Sequence, residues 1–129
     1  MTTLAPVDIE GAFVTYLNAE LTPPVMTRIP NPRPTTHVRV QVVGGDVPAL
    51  VFEQPRLLVE CWAATSTAAA ALARQAWAQI QATRGTFVGD AFVLATNLGR
   101  PVNFPDPDTT SPRYQFTADL RVAMTEETT

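Results

Sequence analysis

The sequence predicts a single α+β domain: a mixed four- to five-stranded β-sheet with two α-helices packed on one face. Three observations lead there. Apolar residues recur at helical spacing in two stretches, near the start and in the middle. Apolar and polar residues alternate with period two in others, as half-buried strands require. Proline and glycine clusters separate these stretches, and the resulting order mixes helices and strands as α+β domains do.

The first helix is expected at about residues 8 to 21. Asp8 is a suitable cap, and Ile9, Phe13, Leu17 and Leu21 form a stripe at four-residue spacing. Pro23 and Pro24 end it. Val25 to Ile29 is a short strand candidate. The proline-rich loop 30–36, with Pro30, Pro32 and Pro34, is expected to be extended and rigid. In the strand His37 to Val43, Val38, Val40 and Val42 alternate with Arg39 and Gln41, and Gly44-Gly45-Asp46 reads as a turn.

The strand Arg56 to Trp62 is apolar on both faces, with Leu57, Val59 and Cys61 opposite Leu58, Glu60 and Trp62, so it is expected to be central. Ser66 or Thr67 then caps a second helix that runs to about Arg84, with Gly85 as its stop. Its inner stripe is Ala69, Leu72, Ala73, Ala76 and Ile80, and Trp77 lies at the stripe's edge. Phe87 to Leu98 reads as one strand with a bulge at Gly89. Four prolines mark the long loop 99–112, and Arg113 to Met124 alternates as the last strand. The tail from about 125 to 129 is expected to be disordered. A helix between two strands predicts a crossover connection, and the last two strands are expected to pair antiparallel.

The chain has 129 residues, the size of one domain (1–129) rather than two. No basic start precedes an apolar run, and no apolar stretch approaches the roughly 20 residues of a membrane helix, so a soluble protein made in a cytoplasm is expected. The net charge is −3, and all nine basic residues are arginines spread along the chain. No basic run stands ready to bind a phosphate backbone, which argues against direct nucleic-acid binding.

No catalytic, cofactor or metal residues are expected. Cys61 and His37 are each the single residue of their type, so neither an internal disulfide nor a Cys/His zinc set is available. Cys61 falls on a buried strand face, as inert thiols do, and His37 opens a strand, where a surface or capping role is expected. Asp106-Pro107-Asp108 brings two carboxylates close, yet acids between prolines are commonly turn formers. Gly44-Gly45 lacks the lysine and helix of a phosphate loop.

The distinctive residues lie in the two proline-rich loops. Prolines reduce the entropy lost on docking, and Arg33, Arg100 and Arg113 are candidate partners for carboxylates on a neighbour. The expected contact residues are Arg33, Pro34, Trp77, Arg100, Asp106 and Arg113.

Three stretches together resemble the tail terminator, or minor tail, proteins of long-tailed (siphovirus-type) phages that infect actinobacteria. They are RIPNPRPTTHVRVQVVGG at 28–45, PRLLVECWAATSTAAAALA at 55–73 and GRPVNFPDPDTTSPRYQFTADLRV at 99–122. The resemblance implies a non-enzymatic virion protein at the head-proximal end of the tail, assembled in the host cytoplasm. Such proteins form rings, usually hexamers, that cap the tail tube, stop its polymerisation and offer a joining surface to a head-completion or connector protein. Genome DNA passes through the lumen without specific binding, and no cofactor is implied. Head–tail connector and tail-completion proteins share the fold style. A monomeric binding module, and a metal-dependent hydrolase built on Asp106 and Asp108, are the readings from other classes.

Overall fold

The computed structural model describes residues 2–128. It is α+β with two helices, but the sheet is larger than four to five strands. In chain order the elements are β1 (Thr2–Ala5), α1 (Ile9–Glu20), β2 (Val25–Met26), β3 (His37–Asp46), β4 (Phe52–Trp62), α2 (Ser66–Gln81), β5 (Phe87–Val88), β6 (Ala91–Leu98), β7 (Val102–Asn103), β8 (Arg113–Ala123) and β9 (Thr125–Thr128). Among the described residues, a seven-stranded sheet runs β2-β3-β4-β8-β6-β5, with β7 also on β8, and β1 pairs β9 separately. The extra strands are two-residue pieces inside segments that the sequence marks as loops or as one longer strand.

The long strands β3, β4, β8 and β6 are joined antiparallel, and β2 joins β3 in parallel. Because β4 and β6 each run opposite to β8, they run in the same direction with β8 between them. The crossover through α2 therefore spans β8, and β6 and β8 form the expected antiparallel pair.

One sheet face carries the apolar core. Val38, Val40, Leu57, Val59, Cys61, Phe116 and Ala118 pack against Ile9, Phe13 and Leu17 of α1 and Leu72, Ala73, Ala76 and Ile80 of α2. Both stripes expected from the sequence are buried. Phe13 and Leu17 are fully covered, and each such side chain contributes about 1.5–3 kcal/mol. The alanines of α2 let its backbone lie close to the sheet. Asp8 caps α1 by accepting the Gly11 N–H at 3.1 Å. On α2 the cap is Thr65, one residue before the expected pair, accepting from Ala68 N–H at 3.1 Å. That helix ends at Gln81 rather than near Arg84, because the Thr83 N–H and hydroxyl both bond the Ile80 carbonyl and close a turn.

Three local readings are corrected. Gly44-Gly45-Asp46 is not a turn but the end of β3, opposite Arg56, Pro55 and Gln54, with the pairing shifted at Val43. The hairpin turns later, between Val47 and Val51. A Cβ on Gly45 would overlap the Gln54 carbonyl and Pro55 Cα, so the missing side chain is what lets the strands meet there. Residues 87–98 are not one bulged strand but a hairpin, turned at Gly89 with φ +58. A glycine is the residue that a two-residue hairpin turn favours at that place. Thr125–Thr128 is not a disordered tail but strand β9, held by β1; Thr129 lies outside the described residues.

Gly45→Ala is expected to destabilise the domain by about 1–3 kcal/mol, through overlap and a strained φ of +132. Gly44→Ala meets open space and is expected to lose less. Urea unfolding of the two variants beside the parent checks the order.

Candidate functional site

The sheet face opposite the helices is open to solvent at the Arg56–Asp119 pair but covered at the other end, around Trp62. In register across three strands lie His37 of β3, Trp62 of β4 and Arg113 of β8; the next pleat on the same face places Arg39, Glu60 and Gln115 side by side. Period-two alternation puts these residues on the side away from Val38, Cys61 and Tyr114. Loops 30–36 and 99–112 close over them and bring Arg33 and Asp106.

Trp62 is the hub, with only 1% of its surface exposed. Its indole N–H donates to Asp106 Oδ2 at 3.0 Å. The His37 ring stacks on it, with centroids 4.5 Å apart and planes 10° from parallel. The guanidiniums of Arg33, Arg39 and Arg113 stand 5.4, 5.6 and 5.5 Å from its ring centre, within cation–π range.

Two carboxylates balance these cations. Glu60, buried on the central strand, accepts Arg39 Nη2 at 2.7 Å and Arg39 Nε at 2.8 Å on one oxygen. Its other oxygen accepts Arg113 Nη1 at 3.0 Å. Asp106 accepts Arg33 Nη1 at 3.1 Å, the Trp62 indole, and the Asp108 N–H at 2.9 Å on its second oxygen. Arg113 also donates from Nε to the Phe104 carbonyl at 2.9 Å and covers the Phe104 ring. Three guanidiniums thus face two carboxylates, and the aromatic ring carries the surplus positive charge.

The electrostatics follow from burial. Desolvation pushes the Asp106 carboxyl upward, but its hydrogen bonds from Asp108, Trp62 and Arg33 outweigh that and hold it below the usual carboxylate range. Burial first, then the guanidiniums of Arg33 and Arg39, push the His37 imidazole below its ordinary value. The Pro34 carbonyl opposes this shift, yet neither ring nitrogen has a partner in hydrogen-bond geometry. His37 is therefore a neutral stacking plate. Its expected surface role is corrected: residue 37 pairs with Trp62 in the sheet and is fully buried. Burial, and then the Glu60 charge, raise the Cys61 thiol well above its ordinary value, so it stays protonated and inert.

Of the six contact residues expected from the sequence, Arg33, Asp106 and Arg113 meet in this cluster, and the carboxylates expected on a neighbour for Arg33 and Arg113 are supplied by the chain itself. Pro34 sits half-buried in the loop beside them. Trp77 and Arg100 lie elsewhere, lining a notch with Arg74, Leu98 and Pro101. The Trp77 indole donates to the Gly99 carbonyl at 3.0 Å. Asp106 and Asp108 form a turn, as expected of acids among prolines: Asp106 spends both oxygens on donors of this chain.

Sequence reasoning missed Glu60, Trp62, Arg39 and His37 as one unit. A signal was present. A glutamate on the second apolar face of a central strand must find cations, because an unpaired buried charge costs several kcal/mol.

Two substitutions separate the parts of the cluster. Asp106→Asn is expected to cost about 1.5–3 kcal/mol at neutral pH, the worth of hydrogen bonds to a charged group. The depressed folded pKa means that this stability is present above the ordinary carboxylate value of about 4 and is lost as pH falls below it. The gap between parent and variant is therefore expected to narrow in acid, as urea titrations between neutral pH and pH 3 would show. His37→Phe keeps the stack and removes a buried base whose nitrogens lack partners. Below the ordinary imidazole value of about 6.5 the unfolded chain binds a proton that the fold refuses, so parent stability falls with pH there. The variant is expected to lose that part of the slope and to match or exceed the parent in stability.

Compared with protein-family models and with curated proteins, the chain matches none.

Proposed function

We propose that this protein is a structural component of a phage virion, a tail terminator that closes into a ring on the end of the tail tube. The ring stops tube polymerisation and gives the head-completion or connector protein a surface to join. Its subunits meet the tail tube protein on one side, and genome DNA passes through the lumen without specific contacts.

One observation carries the reading beyond the motifs themselves: the three stretches that bear the resemblance converge in space on Trp62. The first supplies Arg33, His37 and Arg39, the second Glu60 and Trp62, and the third Asp106 and Arg113. They act as one device that presses two long proline-rich loops onto the helix-free face. Loops fixed in advance lose little entropy on docking, which suits a part that must be recognised from two sides. The net charge of −3 suits a passage for DNA, because like charges repel across a narrow lumen. A connector or tail-completion role next to the terminator would use the same surfaces.

Light scattering over a concentration series, with negative-stain images of the same samples, tests the ring. A closed particle of fixed subunit number, near six, is the expected outcome. A monomer at every concentration up to the millimolar range would remove the ring and leave a monomeric binding module.

A further inference from the structure

Two features of the surface have no partner inside the chain. The first is the tip of the β3–β4 hairpin. Val47, Leu50 and Val51 are 60%, 86% and 61% exposed, and Val43 on the adjoining strand is 49% exposed. From Val43 to Pro55 the chain holds no cation and two acids, of which Asp46 is exposed and Glu53 is buried on the Val7 N–H. Apolar side chains concentrated on a protruding tip mark a contact surface more often than an accident.

The second is the notch beside α2. Trp77, Leu98 and Pro101 make a mostly apolar floor to a cavity of about 390 Å³, with Arg74 and Arg100 beside them. Among the described residues neither arginine has an ion-pair or hydrogen-bond partner, in contrast to Arg33, Arg39, Arg56 and Arg113. The tip and the notch lie towards opposite edges of the sheet. β3 and β6 are separated by β4 and β8, and Leu98 sits level with Leu57 while the hairpin turns beyond Phe52.

We propose that the hairpin tip of one copy seats in the Trp77 notch of the next, with Val47, Leu50 and Val51 on the apolar floor and Asp46 against Arg74 and Arg100. The occupant is a second copy of this chain because the two surfaces are complementary in chemistry: an exposed apolar tip beside the exposed carboxylate of Asp46 meets an apolar notch beside two guanidiniums that have no partner among the described residues. Unlike patches on opposite edges make a head-to-tail contact, the kind that builds rings when the rotation closes. The proposal rests on the ring reading and names its contact.

Cross-linking between two populations tests it. One preparation carries Leu50→Cys and the other Arg100→Cys, both at exposed positions; the native thiol of Cys61 is buried and does not compete. Mild oxidation of the mixture, up to millimolar protein, is expected to give mainly the mixed disulfide. Mainly Leu50→Cys homodimers would mean tip meeting tip and would overturn the proposal. No mixed product from a protein whose unmodified form makes closed rings would overturn the contact and leave the ring standing. A mixed product from open-ended chains would uphold the contact and overturn the ring. No product and no self-association at any concentration would overturn both. As a second readout, Asp46→Arg is expected to weaken association at least tenfold, and adding Arg74→Glu and Arg100→Glu to the same chain to restore most of it; failure of the restoration would overturn the charge match.

Discussion

The structure turns on a buried carboxylate. Glu60 sits near the end of β4, the strand between β3 and β8, almost wholly buried. A charge in that place is tolerable only if cations reach it with good geometry. Arg39 and Arg113 do so from the strands on either side, because cross-strand register sets them on the same face of the sheet. Once those guanidiniums are drawn in, Trp62 becomes the surface on which they rest, and its indole N–H needs an acceptor of its own. Asp106 provides it and brings loop 99–112 along, while Arg33 follows Asp106 and brings loop 30–36. The order of the loops is thus a consequence of one acid on a central strand.

The two faces of the sheet are held by different physics. The helix side is apolar and non-directional: volume and shape decide, and one aliphatic residue can replace another at modest cost. The opposite side depends on angles and on charge count. A substitution there is felt as an unpaired ion rather than as a cavity, and its effect changes with pH and salt in ways that the aliphatic core does not share. The core can therefore take other aliphatic residues while the cluster keeps the loops in place.

The fold was readable wherever a periodic pattern ran long enough to leave one solution. The stripes Ile9-Phe13-Leu17 and Ala69 to Ile80, and the alternation in residues 37–43, 56–62 and 113–124, place both helices and three of the four long strands. Shorter pieces were less readable. β2 falls within the short strand expected at 25–29, but β5 and β7, two residues each, are too brief for any period. Gly44-Gly45 looked like a turn because glycines mark turns, whereas here Gly45 answers to a close approach by the partner strand. The site was half legible. Arg33, Asp106 and Arg113 stood out through their proline neighbours, but Arg33 pairs with Asp106 across 73 positions and Arg113 with Glu60 across 53, which no local pattern encodes. His37 misled because an imidazole at a strand's start is commonly wet; only the register opposite Trp62 buries it.

The small ribbon of β1 and β9 places Thr2 across from Thr128. Its stems are tied to the turn end of the long hairpin, where the Val7 N–H meets the Glu53 carboxylate and the Met124 N–H meets the Val51 carbonyl. Both ends of this chain therefore leave the domain at one spot, beside the exposed hairpin. Any tag or fused reporter crowds that spot whichever end carries it, so exchanging an amino-terminal label for a carboxy-terminal one relieves nothing.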